Sequence, residues 1–327
     1  LSIRRQRQMC IRDRNCKELG VQLLIYTLAK KILTGAKGNI TGILAEKKGE
    51  KFRITTKSVI IATGGYGGNK KLLKKYCPDY QGNIKCVGIP HTGDGLLMSM
   101  EVGADTEGLG ILHLAGPAPP GNAALKIGTP PNIFRIGLMP FALEPYTVWV
   151  NKKGERFIDE TVGYNHYQSS NAVVRQPDNI CYALLDSRMI ETMTEQGLVL
   201  AVEQELVLPK RFPECTPGNR LPGLKRELQV QVDKGLVKIS NFWDEIADWI
   251  GADRETLRAT IDEYNTACDQ GYDPIFAKDR KYLLPLHTPP YYAIKCQAGF
   301  LSTIGGIKIS EHTEVLDKQD NPIPGLY

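Results

Sequence analysis

Two short glycine-bearing runs are where this sequence could hold a ligand. Ser58-Val59-Ile60-Ile61-Ala62-Thr63 is continuous and β-branched, and it leads straight into Gly64-Gly65-Tyr66-Gly67-Gly68. Such a run reads as a strand covered on both faces. Glycines at its carboxyl end let the backbone approach a flat or phosphorylated ligand, although any buried strand can end in glycines. The second run is Thr92-Gly93-Asp94-Gly95, ahead of a helical stretch from Leu96 to Val102. Unpaired N–H groups and the dipole at a helix start favour an anionic or electron-rich ligand; a capped surface turn has the same composition. The cysteines, Cys10, Cys16, Cys77, Cys86, Cys181, Cys215, Cys268 and Cys296, form no C-x-x-C pair. Neither a zinc ribbon nor a thioredoxin motif is therefore expected, and no metal site.

The elements that must position these runs are partly readable. Val21 to Tyr26 is an apolar run of strand length. Lys31–Thr34, Ile40–Lys47 and Lys51–Thr55 are separated by turn signals at Gly35–Asn39 and Lys48–Glu50, as in an antiparallel meander. Asn69 can cap a short helix over Lys70–Tyr76. Seven prolines between Pro117 and Pro145 forbid long regular elements, and a domain crossing is expected there. Thr147–Val150 is a strand candidate. Trp243–Ile250 and Glu255–Cys268 read as helices, with Leu257, Ile261 and Tyr264 spaced as a core face. Ile304–Ile309 and Glu314–Leu316 are the last strands.

In order along the chain, these motifs resemble the flavoprotein family of fumarate reductases, urocanate reductases and 3-ketosteroid dehydrogenases. The strand-ATGG segment ending in Asn is matched by Ala62 to Asn69. T-G-D-G before a helix that closes in G-A is matched by Thr92 to Gly95 and by Gly103-Ala104. V-N-x-x-G-x-R-F-x-x-E is matched by Val150, Asn151, Gly154, Arg156, Phe157 and Glu160, and P-Y-Y-A by Pro290 to Ala293. T-x-G-G, V-L-D and I-P-G-L-Y are matched by Thr303 to Gly306, Val315 to Asp317 and Ile323 to Tyr327. The resemblance implies an α/β fold: a partial Rossmann-like FAD-binding domain with a β-meander, interrupted by an α+β cap domain that holds substrate. The FAD domain is expected over residues 15–115 and 294–327, and the cap over 116–293. By resemblance Val21, Ala62, Thr63, Gly64 and Gly65 lie near the adenine and ribose of FAD, with Asn69 in the same motif. Thr92, Gly93 and Asp94 lie nearer its ring.

Departures from the family pattern are informative. No G-x-G-x-x-G turn is present, and the sequence stops at Ile323-Pro-Gly-Leu-Tyr327. A chain cut at both ends is therefore expected, one that binds FAD poorly and is colourless when purified as it stands. The cationic groups that clamp fumarate's carboxylates are replaced at the positions that can be compared: Tyr164 stands for an arginine and Ser302 for a histidine. A tyrosine at the place of Tyr164 resembles the ketosteroid dehydrogenases, and a phenol can exchange a proton beside a carbonyl. Tyr164 is thus the first catalytic candidate, followed by Tyr292, Ser302 and His113, while Arg156 and Glu160 are expected to brace the cap. What the resemblance implies is an FAD-dependent oxidoreductase that reduces or forms a C=C bond conjugated to a carbonyl. Its partners would be a small enone or enoate and an electron donor: NAD(P)H, FMN or a haem module. The alternatives are a carboxylate-directed reductase of the urocanate, acrylate or fumarate kind, or an inactive fragment.

Composition agrees with a globular enzyme. The chain has 327 residues, 42% hydrophobic and 24% charged, and no apolar run reaches the roughly 18 residues a membrane span needs. The net charge of +5 hints at nucleic acid. However, Arg4 to Arg14 resembles one reading frame of a transposon-end adapter used in sequencing libraries. Residues 1–14, with five arginines against one aspartate, carry four of the five net charges. Without them no nucleic-acid partner is expected. Dilute, unpaired cysteines suit a cytoplasmic protein.

Overall fold

The computed structural model describes residues 3–77, 82, 84–120, 124–129, 132–198 and 218–327. The chain forms two compact units. The first comprises residues 1–64, 93–108 and 305–327; the second comprises 65–92 and 109–304. In chain order, α1 (Ile3–Glu18), β1 (Thr27–Thr34), β2 (Ile40–Lys47) and β3 (Glu50–Thr55) belong to the first unit. Next, α2 (Lys70–Tyr76) and β4 (Lys85–Cys86) belong to the second, and α3 (Asp94–Glu101) and β5 (Thr106–Glu107) to the first again. The long second-unit segment holds β6 (Leu112–Ala118), β7 (Ala124–Thr129), β8 (Asn132–Gly137), α4 (Met139–Ala142) and β9 (Val148–Val150). It continues with α5 (His166–Val174), β10 (Ile180–Leu185), α6 (Ser187–Gln196), α7 (Leu224–Val232) and β11 (Val237–Ser240). Finally come α8 (Trp243–Ile250), α9 (Arg254–Gln270) and β12 (Tyr291–Thr303), after which Gly306–Ile307 in the first unit forms β13. The chain thus changes unit inside both glycine motifs, between Gly64 and Gly65 and between Thr92 and Gly93. The expected crossings near residues 115 and 294 fall within the second unit.

In the first unit, β1, β2 and β3 form the expected meander. The β2–β3 turn is two residues long, and Lys48 and Gly49 have φ of 52° and 87°, which matches the twist of the strands. The core gathers Ile32, Ile40, Val59, Met98, Ala104, Val315, Ile323 and Leu326. Two expectations fail here. Val21–Tyr26 is not a strand: Val21 donates its N–H to the Cys16 carbonyl at 2.9 Å, closing α1, and Leu23 and Tyr26 are 82% and 88% exposed. No ladder among the described residues pairs with it, and an apolar run without a partner strand has nowhere to place its backbone groups but water. Among the described residues, 58–63 are covered on one side only. Val59 pairs in parallel with Leu326 and Ile61 donates to the Tyr327 carbonyl at 2.7 Å, while Ile60 is left exposed.

The second unit is built on β12. Its first seven residues lie between β10 and β11, and β9 extends the sheet beyond β10, all antiparallel. Past Gln297 the same strand changes partners, running parallel to β4 and antiparallel to β6. Pro117 is tolerated in β6, which among the described residues pairs with β12 alone and so has an edge where no donor is used. Leu257, Ile261 and Tyr264 are buried as their spacing predicts. Asp253 caps α9 by accepting from the Thr256 N–H at 2.9 Å, and Gly271 at φ 68° ends it. Trp149 is the largest buried side chain, and its indole N–H donates to the Ala142 carbonyl at 3.0 Å. Cys181 and Cys296 face each other across β10 and β12 as buried free thiols, and Cys16, Cys77, Cys86 and Cys268 are also free. Cys215 and the side chain of Cys10 lie outside the described residues. Among the described residues no helix is long and apolar enough to cross a membrane.

Candidate active site

In the first unit, Ala62, Thr63 and Gly64 are exposed at the end of the run 58–63. Among the described residues their backbone N–H groups make no hydrogen bond. Gly64 sits at φ 73°, and Gly93, at φ 83°, is the residue before α3, with Asp94 in the first turn. An open run of peptide groups after the Val59–Leu326 bridge and a glycine-opened helix start are surfaces that fit the FAD implied by the sequence. Gly95 has another purpose. A Cβ there would lie 2.2 Å from Thr63 Oγ1 and 2.6 Å from Ile61 Cγ2, so its bareness lets α3 pack on residues 61–63. Gly95→Ala should cost about 1–3 kcal/mol, checked as a lowered thermal midpoint.

In the second unit, the remaining glycines of the first motif stand close against other protein groups. A Cβ on Gly65 would lie 2.1 Å from Thr303 Oγ1, one on Gly67 3.0 Å from the Phe300 ring, and one on Gly68 2.3 Å from the Pro90 carbonyl. All three let protein approach protein. Thr303 Oγ1 also accepts from the Tyr66 N–H at 3.2 Å, tying the T-x-G-G motif to the A-T-G-G motif. Asn69 caps α2 through its carbonyl oxygen, and its amide donates to the Thr92 carbonyl at 2.9 Å. Asn69 thus joins the two motifs, and both its side-chain groups are engaged within the protein.

The catalytic candidates separate. The β6–β12 register sets His113 opposite Ser302. From α5, Tyr167 lays its ring on the His113 imidazole, with centroids 5.6 Å apart and planes 13° from parallel. The Tyr167 Oη lies 3.3 Å from His113 Nε2. Exposed Ile111, Leu301 and Ile304 flank this edge, and the Ile304 N–H donates to the Ile111 carbonyl at 3.0 Å. Tyr164 ends a 3-10 turn, Glu160–Tyr164, just before α5; its side chain, and that of His166, lie outside the described residues. Tyr292 is not brought here. It is 4% exposed in the core between β10 and β11, where burial pushes its phenol up from its ordinary value. Ten residues of strand, roughly 30 Å, separate it from Ser302.

A buried charge network holds the turn that carries Tyr164. Arg156 clamps both oxygens of Glu160 at 2.8 Å and reaches Asp273 at 2.7 Å. Lys278 donates to Glu160 at 3.0 Å and to the Thr147 carbonyl at 2.8 Å, and the Trp149 N–H donates to Glu160 at 3.1 Å. Burial alone would raise the Glu160 carboxyl; Lys278 and Arg156 outweigh it and hold the carboxyl below its ordinary value. The Arg156–Glu160 brace was expected from the motif. Asp273, Lys278 and Tyr167 were not, because only strand and helix packing brings them close.

Residues 7–327 match the family model described as "FAD binding domain". A vinyl phenol reductase from Lactiplantibacillus plantarum is 30% identical over 318 residues, covering 95% of this chain and 61% of that protein. An NADH:fumarate oxidoreductase from Klebsiella pneumoniae is 24% identical over 96% of this chain and 29% of its own length. Among solved structures, a 3-ketosteroid Δ1-dehydrogenase from Sterolibacterium denitrificans superposes with a TM-score of 0.66 at 23% identity. That match covers 95% of this chain and 54% of that one, and it shows a shared α/β fold. The chain spans less than two thirds of the length of each of these relatives.

Proposed function

The chain belongs to the FAD-binding-domain family, and from that premise we propose that it serves a flavin-dependent oxidoreductase acting on a C=C bond conjugated to a carbonyl. The observation that carries this reading is the second unit's open edge, where His113, Ser302 and Tyr167 meet beside the turn bearing Tyr164. FAD, when bound, supplies or takes up the hydride. Ala62, Thr63 and Gly64, with Gly93 and Asp94, would hold it, and Val21 belongs near its adenine end by resemblance. The first unit thus serves the cofactor and the second the substrate. Tyr164 is the proposed proton donor at the carbon beside the carbonyl, and the same site run backwards desaturates.

The names of the relatives support C=C chemistry: one reduces a vinyl phenol, another fumarate. They divide on the substrate's charge. Neither β6, α5 nor residues 298–303 of β12 contains a Lys or Arg, and a dicarboxylate needs fixed cations. The reading therefore favours a neutral enone or vinyl phenol over an acrylate or urocanate type of substrate. The electron donor is proposed as a reduced nicotinamide, FMN or haem partner, and the cytoplasm as the compartment, from the free thiols. The test compares kcat/KM for a cyclic enone and a vinyl phenol with that for fumarate and an aryl acrylate, in protein loaded with FAD. At least tenfold preference for the neutral alkenes is expected, and preference for the carboxylates would overturn the assignment.

A further inference from the structure

We propose that Tyr167 and His113 form an oxygen anchor that selects a neutral ligand, a ketone or a phenol, over a carboxylate. Nothing in the sequence motifs marks Tyr167; the inference rests on its geometry. Its ring is parallel to the imidazole within 13°, its Oη is 3.3 Å from His113 Nε2, and the residue is 58% exposed. One side of the phenol oxygen is therefore engaged by the ring nitrogen while the group still faces solvent.

The pair has two arrangements, set by the imidazole tautomer. With the proton on Nε2, the imidazole donates to the phenol oxygen, and the phenol O–H is left to donate to a ligand carbonyl. With the proton on Nδ1, the phenol donates to Nε2, and its oxygen accepts from a ligand hydroxyl. One pair thus binds an enone oxygen or a phenolic O–H without changing its net charge. Ser302, directly across the strand pair, adds a second hydroxyl, and Ile111, Leu301 and Ile304 supply apolar surface for the rest of such a molecule. A carboxylate would need a fixed cation. The three elements that build this edge carry none, and Lys85 of β4 lies across β12 from β6, in register with Gly299. The stack also fixes the imidazole plane, so the anchor is set before a ligand arrives.

The anchor rests on the reductase reading only for its effect on turnover, so binding and turnover are measured separately. Protein labelled with 15N-histidine is titrated with 4-ethylphenol, cyclohex-2-enone and 3-phenylpropanoate. The phenol and the enone should each shift the His113 ring-nitrogen resonances saturably, in opposite tautomeric senses, and the carboxylate at equal concentration should not. Tyr167→Phe keeps the stack and removes the hydroxyl. It should weaken both neutral ligands roughly three- to tenfold, with the other four histidine signals unmoved as the folding control. Equal response to the carboxylate, or unchanged affinity in Tyr167→Phe, would overturn the anchor. In FAD-loaded protein the same variant should raise KM by that factor and change kcat less. Binding as expected without turnover of any alkene would remove the reductase reading and leave the anchor standing; turnover with KM unaltered in the variant would do the reverse.

Discussion

Glu160→Gln should destabilise the second unit by about 3–5 kcal/mol, lowering its thermal midpoint on the order of 10 °C. Glu160 and Lys278 have no exposed side-chain surface, and Arg156 and Asp273 almost none. Two cations and two carboxylates balance. Removing one carboxylate leaves Lys278 and Arg156 buried against Asp273 alone, and an uncompensated buried charge is what makes such losses large. Glu160→Gln with Lys278→Met restores neutrality, since Arg156 and Asp273 remain paired. The double variant should recover more than half of the loss, a coupling that thermal unfolding of the cycle measures. Simple additivity would mean that packing, not charge balance, governs the site. Acid should act through the same groups. The carboxyls of Glu160 and Asp273 are both held below their ordinary values in the folded unit, against the burial that would raise them. The stability they contribute is present above the unfolded carboxylate range of about 4 and is lost as pH falls through the lower folded values. The acid limb of the stability curve should therefore be shallower in Glu160→Gln.

Tyr164→Phe should lower kcat roughly 10²- to 10⁴-fold, the usual contribution of a positioned general acid, with KM within about threefold. The backbone supports this. Tyr164 ends the turn that Glu160 begins, and Asp159 caps that turn by accepting from the Thr161 N–H at 3.0 Å. The four-charge network thus fixes the segment from its N-terminal side, while α5 continues from the other. A proton donor needs such support, because misplacement by an ångström removes much of its effect. The contrast with Tyr167→Phe, a KM effect, separates the two roles on a single plot of rate against substrate concentration. Unchanged turnover in Tyr164→Phe would take that residue out of the mechanism.

What could be read before any coordinates follows the range of the interactions. The meander, the cap at Asn69 and the buried face of α9 depend on residues within a few positions of one another, and all were legible. Residues 21–26 misled because an apolar run has strand propensity, yet only a partner strand makes it a strand. A bare Cα signals close approach without saying what approaches; a Cβ at Gly65, Gly67, Gly68 or Gly95 would meet Thr303, Phe300, Pro90 or Thr63. The Arg156–Glu160 pair lies four residues apart and was foreseeable, whereas Lys278 joins it across more than a hundred residues. Tyr167 meets His113 only because β6 pairs with the end of β12 and α5 packs on β6, a register that no local signal encodes.

Anaerobic reoxidation of the reduced flavin is the most direct measurement of the proposed chemistry. Protein expressed from its whole reading frame, loaded with FAD and photoreduced without oxygen, is mixed with cyclohex-2-enone or a vinyl phenol. The flavin absorbance should return in step with one equivalent of saturated product, faster than with fumarate. A flavin that stays bleached in the presence of every conjugated alkene, while oxygen restores it at once, would contradict the assignment.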